Sequence, residues 1–196
     1  MKKIEFDIIG DVTQNMELHF SELIDEALNN PKTPVLLKIN SKGGSVEAGI
    51  SMYNQLIALP NPVYTLITGE CKSIAGIIFL ATDFKKRYAF PLTSFLAHPS
   101  SVGKIEGVNK ARLRKILSDS EEIDKIILNI ILTNTKIDSE VLTKIFDSID
   151  EEFVLKSEEF EKNRFCRVIS KFSEIPIFRN YEEIDPKKVE LVDYIL

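Results

Sequence analysis

The sequence predicts an α/β fold in which repeated strand–helix units build a mostly parallel sheet. Short strand-like apolar runs alternate with segments of helical period from Ile4 to His98. One of those runs, Val35-Leu36-Leu37-Lys38-Ile39, is apolar almost throughout, the pattern of a strand covered on both faces. A third observation, a long helical run from Gly107 to about Thr133, adds one helix that protrudes from this pattern.

Taken in order, Ile4, Phe6 and Ile8 alternate with polar neighbours and read as a half-buried strand stopping at Gly10. Thr13 or Asn15 caps the next helix, with Phe20, Leu23, Ile24, Ala27 and Leu28 on one face and Asn30-Pro31 ending it. After the Val35–Ile39 strand, Ser41-Lys42-Gly43-Gly44-Ser45 reads as a turn. Ala48, Met52, Tyr53 and Leu56 then give a helix stopped by Pro60 and Pro62, and Val63–Ile67 is another strand. Ser73 to Ala81 is small and apolar, as a buried helix would be, and Arg87–Phe90 and Ser94–Ala97 are short strands around Pro91. The long helix carries Ile123, Ile126, Ile127, Ile130 and Ile131, with Leu128 and Leu132 on further faces, so it is either enclosed or shared with another subunit. Ser139 to Asp147 is a further helix, and Phe153–Leu155 and Phe165–Ile169 are strand-like.

The 196 residues suit one domain, and 44% hydrophobic with 28% charged residues is the composition of a soluble globular protein. A net charge of −5 argues against a nucleic-acid partner, which would want a basic face. Cys71 and Cys166 make no disulfide framework. Glu5 and Asp7 stand where a signal peptide needs its apolar run, and no apolar stretch reaches the ~18 residues of a membrane span, so a cytoplasmic setting is expected. Residues 1–169 form the expected domain. Residues 170–196 form a C-terminal extension of unassigned role, irregular from Ser170 and ending in apolar residues 189–196.

Three places bear chemistry. Gly43-Gly44 follows a buried strand and precedes a helix, where bare backbone lets a substrate carbonyl approach, although such a pair is often only structural. Ser73 stands at the start of a helix between Gly69 and Gly76. It reads either as an N-cap or as a nucleophile presented where a strand turns into a helix. A serine nucleophile needs a base, and His98, at a strand end, is the candidate; His19 reads as a solvated helix residue. The N–H groups of Gly44 and Ile74 would then hold the oxyanion. All three places fall at carboxyl ends of strands, where parallel sheets bind ligands. Cys71 is a rival nucleophile that reads more simply as a buried thiol. Lys72 either faces solvent or acts by its charge on His98. The reading calls for no cofactor and no metal.

These segments carry a family resemblance. Asn40-Ser41-Lys42-Gly43-Gly44-Ser45-Val46 with Ala48-Gly49 resembles the I-N-S-P-G-G-x-V-x-A-G segment of Clp protease proteolytic subunits. Gly69 to Ala81 resembles their nucleophile segment, and Tyr88-Ala89-Phe90-Pro91 to His98-Pro99 their R-Y-x-x-P…M-x-H-x-P segment. The resemblance implies a ClpP/crotonase-like fold and a serine endopeptidase working through an acyl-enzyme. Ser73 would be the nucleophile, His98 the base, and Gly44 and Ile74 the oxyanion hole. It implies peptide or unfolded-protein substrates and a homo-oligomeric ring in which the long helix interlocks rings. Lys42 replaces the usual proline, and Cys71-Lys72 replaces two alanines. The chain starts directly at the first strand, without the segment that forms axial pore loops. That puts an ATP-driven unfoldase partner in doubt and resembles the phage- and prophage-type branch. A lysine base, as in signal peptide peptidases of related fold, stays open, but Lys72 is badly placed beside Ser73. The competing expectations are a catalytically inactive scaffold subunit and a crotonase-type acyl-CoA enzyme, which would use carboxylates and need no serine.

The third triad member is the open position. Family members carry an acid just before an F-x-S-A-x-E-A-like segment, and Glu152 precedes Phe153-Val154-Leu155-Lys156-Ser157-Glu158-Glu159. A gap-free count from His98 reaches Asp147 instead, and Asp150 lies between.

Overall fold

The computed structural model describes residues 2–101, 106–148 and 151–178. Strands β1 (Ile4–Val12), β2 (Val35–Gly44), β3 (Val63–Lys72), β4 (Arg87–Ala89) and β7 (Arg167–Val168) lie side by side in that order, every neighbour parallel. Helices α1 (Gln14–Asn29), α2 (Val46–Ala58) and α3 (Ile74–Phe79) follow the first three strands. β5 (Ser94–Ala97) pairs with β3 in parallel and with β6 (Phe153–Lys156) in antiparallel. α4 (Lys110–Asn134) and α5 (Ser139–Phe146) lie between β5 and β6 in the chain.

β3 changes partner along its length. Thr65–Ile67 pair with β4, and Glu70–Lys72 pair with β5. This fork splits a small β5–β6 ribbon from the main sheet at the carboxyl end of β3.

Alternate residues of β2 divide two cores. Val35, Leu37 and Ile39 face the helices, where Phe20, Leu23, Met52, Ile77 and Phe79 are buried. Leu36 faces the other side with Leu66, Tyr88 and Ile169, and Ile175, Ile177 and Phe178 cover them. The described part of the C-terminal extension therefore packs on the sheet, and residues 179–196 lie outside the described residues. Thr13 caps α1, its Oγ1 accepting from Met16 N–H at 3.1 Å. Arg87 is 1% exposed and donates from Nη2 to the carbonyls of Asn134 (2.7 Å) and Arg164 (3.1 Å), tying the end of α4 to the chain before β7. Burial pushes its pKa down to about 10.

Several expectations need correction. β1 does not stop at Gly10; it continues to Val12 across a register irregularity between Ile9 and Asp11. The Ser41–Gly44 segment is not a free turn but the end of β2, Val12 pairing with Gly44, because the ladder outlasts the apolar run that signals it. Leu28 is 53% exposed, off the packed face of α1. Only Arg167–Val168 of the Phe165–Ile169 run is strand; Phe165 and Cys166 are buried by packing without joining the ladder. Among the described residues no helix is long and apolar enough to cross a membrane.

Candidate active site

β3 ends at Lys72 and α3 begins at Ile74, so Ser73 is the one residue on which strand turns into helix. Its φ of 52° with ψ −132° is a conformation that costs a non-glycine residue about 1–3 kcal/mol. Backbone bonds on both sides hold it there: Ser73 N–H donates to the Leu96 carbonyl at 2.7 Å, and Gly76 N–H donates to the Ser73 carbonyl at 2.9 Å. The Ser73 hydroxyl makes no capping bond to α3, which removes the simple N-cap explanation of this serine.

The glycine pressed against Ser73 is Gly43. A Cβ at Gly43 would lie 2.7 Å from Ser73 Cβ and 3.2 Å from its Oγ, so any side chain there would occupy the serine's own space. Gly43 N–H is donated to Ser41 Oγ at 3.0 Å. Gly44 lies against β1, where a Cβ would meet the Val12 carbonyl oxygen at 2.3 Å.

The parallel register sets Cys71 against Phe95 and Lys72 against Leu96, which puts Ser73 and His98 at the carboxyl ends of neighbouring strands. Phe95 holds the two elements together from beneath. A Cβ at Gly76 would sit 2.3 Å from its ring, and that ring packs on Phe165 at a centroid distance of 4.6 Å. Phe165 in turn packs on Phe79 at 5.1 Å and Phe160 at 4.9 Å.

His98 is half-buried, with Nδ1 2.6 Å from the Pro99 carbonyl oxygen. In the tautomer that makes Nδ1 the donor, this bond leaves the Nε2 lone pair to act as a base. No hydrogen bond joins Ser73 to His98, and among the described residues none joins His98 to a carboxylate. Catalytic hydrogen bonds of unliganded enzymes often tighten only when substrate binds.

Of the three acids, Glu152 stands immediately before β6. Ala97 pairs with Phe153 at the end of the antiparallel β5–β6 ladder, and His98 and Glu152 are the residues that directly follow and precede that last pair. Asp147 is the C-cap of α5, exposed, and Asp150 lies outside the described residues.

The other candidates fall away on geometry. Cys71 is fully buried, and burial pushes its thiol far above the usual range, so no thiolate forms at neutral pH. Lys72 is ion-paired with Glu70 and holds the Glu70 carboxyl below its usual range, so its charge is spent there. His19 is exposed on α1, its Nδ1 2.9 Å from the Asn15 carbonyl. A concavity of about 290 Å³ lined by Tyr53, Asn61, Val63, Leu80, Asp83 and Asn134 lies at the amino end of β3, the wrong end for ligands of a parallel sheet. Among the described residues no group of three His, Cys, Asp or Glu side chains is placed to hold a metal. Sequence reasoning missed the Gly43–Ser73 contact, the Leu96 carbonyl and the Pro99 carbonyl. None carries a residue-type signal, since two are backbone atoms and the third is a register effect.

A family model described as Clp protease matches residues 2–164. The chain belongs to the Clp protease family. Clp protease relatives bear this out. ATP-dependent Clp protease proteolytic subunit 2 of Borreliella burgdorferi is 29% identical over 164 residues, 83% of this chain and 80% of that one. ATP-dependent Clp protease proteolytic subunit 1 of Chlamydia abortus is 36% identical over 76 residues, 39% of this chain and 40% of that one. A ClpP1 point mutant from Listeria monocytogenes superposes with a TM-score of 0.77 at 20% identity, covering 88% of this chain and 94% of that one. The fold is therefore ClpP-like, and by family the chain is a Clp-type protease.

Proposed function

We propose that this Clp-family chain is a serine endopeptidase that cleaves peptides or unfolded proteins through an acyl-enzyme, in an oligomeric ring and a cytoplasmic setting. Ser73 Oγ attacks the scissile carbonyl carbon while His98 Nε2 takes its proton. The N–H groups of Gly44 and Ile74 hold the oxyanion, an interaction worth about 3–4 kcal/mol per donor in well-studied cases. His98 then gives the proton to the departing amine as the C–N bond breaks, and water, deprotonated by the same imidazole, hydrolyses the ester. Glu152 accepts a hydrogen bond from the His98 ring and stabilises the imidazolium. For Glu152 to do so, the ring must exchange the Pro99 carbonyl for the carboxylate.

The observation that carries this reading is Ser73 itself, a strained residue whose hydroxyl makes no capping bond, at the end of the strand beside the one that delivers His98. The test is a fluorophosphonate probe read by intact-mass spectrometry and peptide mapping. One adduct on Ser73, absent in Ser73→Ala, supports the proposal; no adduct on Ser73 rejects it. A second reading, a non-catalytic ring partner, draws on the missing Ser73–His98 hydrogen bond, and that same result would favour it.

A further inference from the structure

The segment that leaves β5 carries His98 and is fastened two residues later to α4. Ser100 N–H donates to Asp124 Oδ1 at 2.7 Å, and Ser100 Oγ lies 2.7 Å from Ser120 Oγ. Ser120 and Asp124 are one helical turn apart, on the side of α4 that further on buries Ile127 and Ile131. Towards the start of α4, Leu113 and Leu117 are 40% and 52% exposed, so Ser120 and Asp124 mark the place where the helix leaves the protomer. Both are half-buried, and neither is explained by the apolar packing that holds the second half of the helix.

His98 is thereby held between two anchors. On one side Ala97 is paired with Phe153. On the other, Ser100 is bonded to a carboxylate, a stronger acceptor than a neutral oxygen. Only Pro99 lies between, and its ring removes one backbone rotation. Its carbonyl is also the acceptor for His98 Nδ1. Fixing Ser100 therefore fixes the short backbone segment from which the imidazole reaches towards Ser73, whichever acceptor Nδ1 uses.

We propose that Asp124, assisted by Ser120, is a positioning residue for the His98 base, and that through it α4 sets the reactivity of Ser73. This rests on the serine-peptidase reading.

The test compares wild type, Asp124→Ala, Asp124→Asn and Ser120→Ala at matched assembly state, checked by light scattering. Three quantities are measured: hydrogen exchange of the peptide containing Ser100, the rate of fluorophosphonate labelling of Ser73, and steady-state peptide cleavage. In Asp124→Ala, exchange at Ser100 should rise, and labelling rate and kcat should fall about tenfold to a hundredfold with KM nearly unchanged, as expected for a misplaced catalytic group. Asp124→Asn keeps an acceptor oxygen and should recover most of the rate. Ser120→Ala, which leaves the carboxylate in place, should show a smaller loss in the same direction and serves if Asp124→Ala does not fold. Looser exchange with unchanged labelling and kcat would overturn the positioning role, as would unchanged exchange. A wild type that is never labelled sinks the serine-peptidase reading, and this inference with it; a labelled wild type with an equally labelled Asp124→Ala sinks this inference alone.

Discussion

Ser73 keeps a backbone conformation that a serine adopts only under constraint, and the constraints are visible: the Leu96 carbonyl on one side and Gly43 packed against its Cβ. Removing either member of the proposed pair should be severe, because members of a triad act as a unit. Ser73→Ala and His98→Ala should each lower peptide cleavage by several orders of magnitude, measured as kcat/KM with an unstructured peptide. With His98 and Glu152 flanking the last β5–β6 pair, Glu152→Gln should lower kcat strongly with little change in KM; loss of the acid costs about 10⁴ in the best-studied triad. Asp147→Asn, at an exposed helix end, should leave the rate unchanged. Equal activity of Glu152→Gln and wild type would favour a dyad that uses the Pro99 carbonyl in place of an acid. Cys71 and Cys166 are both buried, with thiols pushed up by burial, so neither should react with a thiol reagent until denaturant is added. Fast modification of Cys71 in the native protein would reopen the rival nucleophile.

At the scale of elements, the site depends on how closely β2 approaches the end of β3. Gly43→Ala places a Cβ 2.9 Å from the Lys72 carbonyl oxygen as well as against Ser73, so backbone must move. A shift of about an ångström at the nucleophile is enough to cost roughly a hundredfold in rate. Gly10→Ala is the matched control. It too has a positive φ, 77°, but nothing lies within 4 Å of the added carbon. It should cost only backbone strain, about 1 kcal/mol, lowering Tm by about 2–4 °C, while kcat/KM stays at the wild-type value. If both variants lose activity equally, the Gly43 contact is not what matters.

For the whole molecule, the isoleucines of α4 divide between two tasks. Ile127, Ile130 and Ile131 are buried in the protomer's own core, so a charge placed there would test folding rather than assembly. Leu113, Leu117 and Ile126 are 40%, 52% and 46% exposed and are the side chains left for another subunit. The expected ring should give a light-scattering mass several times 22.3 kDa at micromolar concentration. Leu117→Asp should dissociate it while leaving the far-UV circular dichroism unchanged. A monomeric wild type would reject the ring.

The sequence by itself determined the order of strands and helices and pointed to three candidate places for chemistry, because period, glycine and proline punctuation and apolar runs are local properties of the chain. Ser73, His98 and the Gly43-Gly44 pair were legible for that reason. Tertiary structure decided what depends on pairing over distance. It decided that Gly43 is the glycine against Ser73, while Gly44 abuts Val12, which follows from a β1–β2 ladder that runs past the apolar residues announcing it. It decided that β3 forks, which sets Ser73 and His98 at the carboxyl ends of neighbouring strands and places Glu152 next to the last β5–β6 pair. And it decided that Asp124, an ordinary charged position of a long amphipathic helix, meets a backbone N–H two residues past the histidine. A hydrogen bond to a main-chain group selects no residue type at the other end, so no pattern in the chain announces it.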